Sequence, residues 1–334
     1  MKLAPEDKDL IATNIKKFKA KRVLIQGPEG VKLEIQNIAD WLEKDFGLEV
    51  AIMNEPCFGA CDIADYPASL LKCDLLIHMG HSRFVSHERM PVIYVPFYSD
   101  FDFIPLLKKN MDVLKDYKRI GITTTIQHVH QVQKVVDFLK KNGKEPIVNQ
   151  SQPHRCEFPG QTLGCDATAA IAIESKVDCF LHLASGKFHG LGIVKKISKP
   201  LFVFDPETET VYNLENEKKE MAKRLILKKE KFKDAKKVAI LVSTKIGQLN
   251  PTVFNLKKRI EKSGKKAWLF VMDFVSPDKF EGLDIDMLVN TACPRLADDK
   301  VFKQTIIDVA ELPSLPQLDE KEKTEETQNF ISIK

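Results

Sequence analysis

The sequence predicts an α/β protein made of three tandem units, each a parallel sheet covered by helices. Two observations carry this. Short apolar runs alternate with amphipathic helical stretches along the whole chain. The pattern also repeats: Cys61 precedes Asp74-Leu-Leu-Ile-His78 and Cys165 precedes Asp178-Cys-Phe-Leu-His182 at one offset, 74 − 61 = 13 and 178 − 165 = 13. Asp286-Met-Leu-Val-Asn290 is the same run a third time, here followed by Cys293. This reads as an internal triplication. The units expected are 1–104, supplying Cys61; 105–214, supplying Cys165; and 215–316, supplying Cys293; a charged tail, 317–334, follows.

Each unit opens with a basic pair and an apolar strand: Lys21-Arg-Val-Leu-Ile-Gln26, Lys118-Arg-Ile-Gly-Ile-Thr123 and Lys236-Lys-Val-Ala-Ile-Leu-Val242. Runs apolar throughout suit strands buried on both faces. An amphipathic helix comes next. Val31, Ile35, Ile38, Leu42 and Phe46 form one apolar stripe, as do Val129, Val132, Val136 and Leu139, and Val253, Leu256 and Ile260. Each helix is expected to stop at a glycine, Gly47, Gly143 or Gly264, with a second strand close behind, over 48–53, 145–149 and 266–272. The Asp-led strand is third. A fourth, Val92-Ile-Tyr-Val95 or Leu201-Phe-Val-Phe204, closes the first two units, and its counterpart in the third unit is not legible. Right-handed crossovers put the loops after strand carboxyl ends on one side of each sheet, where such folds bind ligands. Residues 318–328 are almost wholly polar and expected to be mobile. Residues 330–333 either dock back as a short extended piece or belong to a disordered tail.

Composition narrows the function. The 334 residues are 43% hydrophobic and 29% charged, enough to bury cores. The net charge of +4 comes from 51 basic and 47 acidic residues and does not suggest a nucleic-acid partner. No apolar run reaches the roughly 18 residues that span a bilayer, and the charged start lacks a signal-peptide core, so a cytoplasmic protein is expected. Seven cysteines then point to metal, catalytic or buried thiols rather than a disulfide framework.

Cys73 and Cys179 lie at the starts of Asp-led strands and read as small core residues. Cys57 and Cys156 read as bystanders, Cys57 alternatively as a redox partner. Cys61, Cys165 and Cys293 differ, because Gly59-Ala60, Gly164 and Ala292 flank them with small residues that admit a bulky group. Three thiolates leave one coordination position open. On zinc this is a catalytic or incomplete structural site; on a 4Fe–4S cluster it is one iron free for substrate. No short Cys-x-x-Cys pair of the usual zinc kind is present, which favours the cluster. A zinc-binding hydrolase and a non-catalytic scaffold subunit are the alternatives. His78, His182 and the pair His128 and His130 read as hydrogen-bonded structural histidines.

At these residues the chain resembles the archaeal enzyme family that performs the first step of diphthamide biosynthesis, the 2-(3-amino-3-carboxypropyl)histidine synthases. The matching motifs are Gly59-Ala-Cys61-Asp62, Leu76-Ile-His-Met-Gly-His81-Ser82, Thr123-Thr-Thr-Ile-Gln127-His128-Val-His130-Gln131 and Pro159-Gly-Gln-Thr-Leu-Gly-Cys165. Ser185-Gly186, Phe188-His189, Lys245-Ile-Gly-Gln248-Leu249 and Ala292-Cys293-Pro-Arg295 complete them. The resemblance implies three Rossmann-like domains in a homodimer, with Cys61, Cys165 and Cys293 holding one 4Fe–4S cluster. It implies cleavage of the bond from sulfur to the γ-carbon of S-adenosylmethionine by a radical route, an electron donor, and transfer of the 3-amino-3-carboxypropyl group to carbon 2 of a histidine in translation elongation factor 2. Phe58 stands where a Tyr is common, Cys57 is additional, and the Cys-x-x-x-Cys-x-x-Cys segment of ordinary radical enzymes is absent, since position 64 is Ala64. For cofactor contacts, Lys245 and Gln248 read as holding the carboxylate or ribose. Arg295 reads as pairing a carboxylate or buffering cluster charge, and Ser185, Gly186 and Asp205 as lining the same cleft.

Overall fold

The structure, a computed structural model, describes residues 3–85, 87–150, 155–298 and 301–318. The expected dock or disorder of the tail end, residues 330–333, lies outside the described residues.

Three sheets are present. The first contains β1 (Arg22–Gln26), β2 (Glu49–Ile52), β3 (Leu75–Met79) and β4 (Val92–Val95), in the order β2-β1-β3-β4 and all parallel. The second contains β5 (Arg119–Thr124), β6 (Glu145–Ile147), β7 (Cys179–Leu183), β8 (Leu201–Asp205) and β9 (Thr210–Asn213), in the order β6-β5-β7-β8-β9. The third contains β10 (Lys237–Ser243), β11 (Lys266–Met272), β12 (Met287–Asn290) and β13 (Thr305–Asp308), in the order β11-β10-β12-β13, again parallel. The central strands β3, β7 and β12 are buried along their whole length, as continuous apolar runs require.

The helices Lys32–Phe46, Val132–Lys141 and Val253–Lys262 carry the predicted stripes, buried except for half-buried Phe46, and Val31 lies just before the first in the 3₁₀ turn Glu29–Val31. Val129 lies one turn earlier, in the 3₁₀ segment Ile126–Gln131, so the apolar spacing runs across a change of helix type. Gly47, Gly143 and Gly264 follow these helices with φ of 65°, 74° and 86°, the left-handed region that a Cβ disfavours.

Two details differ from expectation. The second sheet has a fifth strand, β9, antiparallel to β8; Asp205 makes its turn, accepting the N–H groups of Glu207 (3.0 Å) and Thr208 (3.4 Å). The third sheet does have its fourth strand, β13. It has only four residues, and its pairing with β12 is what identifies it.

The Asp-led runs share one device. Asp74 Oδ2 accepts the N–H groups of Lys21 (2.7 Å) and Arg22 (2.9 Å). Asp178 Oδ2 accepts those of Lys118 (3.1 Å) and Arg119 (2.8 Å), and Asp286 Oδ2 those of Lys236 and Lys237 (both 2.8 Å). Each carboxylate thus pins the start of its sheet's first strand. The Arg119 side chain, with these N–H bonds, draws the Asp178 carboxyl down to about 2, and backbone donors hold Asp74 and Asp286 below the usual range.

The chain divides into two compact units, Met1–Lys218 and Lys219–Lys334, and the border falls inside the helix Glu215–Asp234. The first unit holds two sheets, and their carboxyl-end loops are joined. Ser99 N–H donates to Gln127 O (2.9 Å), Gln127 Nε2 to Gly80 O (3.0 Å), and Gln161 Nε2 to Ser82 Oγ (2.6 Å). The second unit holds the third sheet. No helix among the described residues is long and apolar enough to cross a membrane.

Candidate metal centre

Cys61 lies in the loop after β2, half-buried. Gln26, the last residue of β1, holds this loop. Its Nε2 donates to Asp62 O (2.8 Å), and its Oε1 accepts the N–H of Ala64 (2.8 Å). Asp62 N–H also donates to Gly59 O (3.1 Å). A Cβ at Gly59 would sit 3.4 Å from Cys61 Sγ, in van der Waals contact with the sulfur.

Cys165 occupies the equivalent loop, after β6, and is exposed. The segment before it adds to the sheet: Thr124 N–H donates to Gly160 O and Thr162 N–H to Thr124 O, both at 2.8 Å. Leu163 and Asp166 exchange backbone hydrogen bonds across Cys165, and Asp166 Oδ1 caps Thr168 N (2.8 Å). The backbone is packed tightly from below. A Cβ on Gly164 would lie 2.5 Å from the Phe188 ring, and one on Gly192 would lie 2.4 Å from Gly164 O.

Gln161 ties the segment carrying Cys165 to the loop after β3. Fully buried, it donates to Ser82 Oγ just past β3 and accepts the N–H groups of Glu157 (3.0 Å) and Phe158 (3.2 Å). Gln161→Leu keeps the volume and strands these groups. The expected result is a loss of about 2–4 kcal/mol in denaturant unfolding; unchanged stability would contradict this role.

Cys293 lies in the second unit and in a different loop of its sheet, after β12, the third strand. Buried Asn290 organises it: Nδ2 donates to Cys293 O (2.8 Å) and to Asp308 Oδ1 (2.5 Å), while Oδ1 accepts Ala292 N–H (3.1 Å). Thr291 Oγ1 donates to Leu241 O (2.6 Å), and Pro294 opens the short turn Pro294–Ala297.

None of these three thiols is buried, and each stands at the carboxyl edge of its own sheet among small residues. Cys73 and Cys179 are placed differently. Burial pushes the Cys179 thiol up to about 12 and raises that of half-buried Cys73, so both stay protonated and poor as ligands.

The remaining candidates divide by unit. Gly186 N–H donates to Asp205 Oδ2 (2.9 Å), which brings Ser185-Gly186 against the end of β8. Both Asp205 oxygens accept backbone N–H groups, so this carboxylate shapes the loop. Lys245 and Gln248 share one turn after β10, with Gln248 N–H donating to Lys245 O (2.9 Å). Arg295 is exposed, two residues past Cys293. The loop-holding residues Gln26, Gln161 and Asn290 escape the sequence reading. An amide closing an apolar strand is the signal at Gln26 and Asn290, and Gln161 carries none beyond its motif.

The comparisons with known proteins bear on this edge. A family model described as "Putative diphthamide synthesis protein" matches residues 27–328. The chain belongs to the diphthamide synthesis family. It is 36% identical to the 2-(3-amino-3-carboxypropyl)histidine synthase of Pyrococcus horikoshii over 87% of this chain and 84% of that protein. The synthase of Methanocaldococcus jannaschii is 28% identical, over 83% of this chain and 78% of that protein. Among solved structures, Dph2 from Pyrococcus horikoshii superposes with a TM-score of 0.85 and 34% identity, covering 91% of this chain and 88% of that one, and has also been solved with a 4Fe–4S cluster. The family's α/β fold of parallel sheets is therefore this chain's fold.

Proposed function

We propose that the chain is a 4Fe–4S enzyme that transfers the 3-amino-3-carboxypropyl group of S-adenosylmethionine to carbon 2 of a histidine in translation elongation factor 2, the first step of diphthamide biosynthesis. The observation that carries this is the set Cys61, Cys165 and Cys293, three unburied thiols on sheet edges in a family with a cluster-bound member. In this reading they are the ligands of one cluster. The three sheets with their helices count as domains 1–104, 105–214 and 215–316, and the working form is a cytoplasmic homodimer of twice the 37.9 kDa chain.

Bound here, the cluster supplies one electron at an iron that lacks a cysteine ligand. Carbon 2 of imidazole is a weak nucleophile, and polar alkylation would go to the ring nitrogens; a carbon-centred radical adds at the carbon. In balance, the sulfur to γ-carbon bond breaks, a carbon–carbon bond forms, the carbon 2 proton leaves, methylthioadenosine departs, and the electron lent by an external donor returns when the ring regains aromaticity. The chain's own part is orientation and exclusion of water. Lys245 and Gln248 are assigned to the carboxylate or ribose of S-adenosylmethionine and Arg295 to its carboxylate or to cluster charge. Ser185 and Gly186, set by Asp205, line the cleft.

The test is anaerobic turnover with dithionite, S-adenosylmethionine and elongation factor 2. Methylthioadenosine and one histidine carrying a carbon-linked 3-amino-3-carboxypropyl group are expected by mass spectrometry. Mainly 5′-deoxyadenosine, or activity that survives loss of iron, would overturn the assignment. A colourless protein holding zinc without sulfide would instead support a zinc hydrolase or a scaffold.

A further inference from the structure

The geometry points to a second metal site, formed by Cys57, His78 and His81, that takes one redox-inert divalent cation, zinc fitting best. It is independent of the cluster reading and uses none of the three cysteines assigned there. One ligand atom from each of Cys57, His78 and His81 lies within 4.8 Å of the others. Cys57 is 2% exposed and His78 fully buried, while His81 is half-buried at the rim.

The surrounding bonds prepare the imidazoles. Gln26 is held in one orientation, because its Oε1 accepts Ala64 N–H and its Nε2 donates to Asp62 O. Its Oε1 therefore accepts from His78 Nδ1 (3.0 Å), which places the proton of His78 on Nδ1 and leaves Nε2 bare. That lone pair faces His81 Nδ1 at 3.0 Å. An imidazole that donates one ring N–H to a fixed acceptor and presents the other nitrogen is the arrangement that orients histidine ligands. With the cation bound, His78 Nε2 and His81 Nδ1 both coordinate it. The His81 proton sits on Nε2, the Cys57 thiol loses its proton to solvent, and one proton is released overall. One thiolate and two imidazoles suit zinc, with a fourth position left for water. The ion would tie the loop carrying Cys57 to the end of β3, four residues ahead of Cys61.

The probe is Co²⁺ under anaerobic conditions. A C61A/C165A/C293A variant is expected to bind about one Co²⁺ per chain, with a sulfur-to-cobalt charge-transfer band and tetrahedral visible bands. Adding Cys57→Ser is expected to abolish the charge-transfer band, and His81→Gln to weaken binding at least about 10-fold. The iron-loaded wild-type chain provides a second measurement, since Cys57→Ser should lower its zinc content without lowering iron. A charge-transfer band that survives Cys57→Ser, no cobalt bound by the triple variant, or wild-type zinc unchanged by Cys57→Ser would each overturn the site. Loss of turnover bears only on the cluster reading.

Discussion

Single replacement of Cys61, Cys165 or Cys293 by Ala is expected to strip most of the iron and to lower methylthioadenosine formation by more than about 100-fold. Changes one shell out from a metal already cost about 10–100-fold in affinity or activity, and removing a direct ligand costs more. The informative comparison is internal to the chain. Cys73→Ala and Cys179→Ala should keep full iron and turnover and lose only packing, about 1 kcal/mol each. Both thiols are held protonated by burial, and neither stands in a loop at a carboxyl edge. Iron per chain and the anaerobic absorption spectrum read the difference directly. Full iron retention in any one of the three Ala variants would remove that residue from the ligand set. Iron loss in Cys179→Ala would show that core integrity governs the cluster.

Acidification from neutral pH is expected to destabilise the protein well before its carboxylates titrate. Burial pulls the His182 imidazole down to about 3, helped by His189 and His128, and pulls His128 down to about 4. Each has a buried ring nitrogen without a hydrogen-bond partner, Nε2 of His182 and Nδ1 of His128. In the unfolded chain both rings take up a proton near 6.5, while in the folded chain they do not. Stability is therefore full above 6.5 and falls as pH drops toward the folded values. One proton contributes about 1.4 kcal/mol per pH unit, so His182 alone costs about 3 kcal/mol by pH 4. Asp178 acts in a lower window. Its carboxyl is depressed from 3.8 to about 2, so its contribution is present above 3.8 and is lost only as pH falls toward 2. Urea midpoints of the wild type and His182→Gln between pH 7 and pH 4 separate the two effects. The variant's midpoint should fall less steeply, and parallel curves would refute the histidine account.

Much of the fold was legible because its signals are local. Apolar strands, helical stripes ending at Gly47, Gly143 and Gly264, and the Asp-led runs all follow from spacing along the chain. The Asp-led repeat was visible as a pattern, but its cause was not. Asp74, Asp178 and Asp286 recur because each caps the start of a strand far away in sequence, at separations of 53, 60 and 50 residues. The strands β9 and β13 were hidden because Thr210–Asn213 and Thr305–Asp308 begin and end on polar residues, unlike the wholly apolar Val92-Ile-Tyr-Val95, and pairing with β8 and β12 identifies them.

The division is sharpest at the cysteines. Sequence by itself determined which thiols are chemically apart: Cys61, Cys165 and Cys293 sit among small residues near strand ends, and the motifs around them mark the family. Only the tertiary structure decided what holds those loops in place. The amides of Gln26, Gln161 and Asn290 each bond a partner distant in the chain, such as Ser82, 79 residues from Gln161. It also decided that Cys57, which reads in sequence as a bystander, lies beside His78 and His81, with a ligand atom of each within 4.8 Å of the others. A hydrogen bond or a ligand set depends on where side chains meet in space, and for residues on different strands that is settled by sheet order and register, which no local pattern encodes.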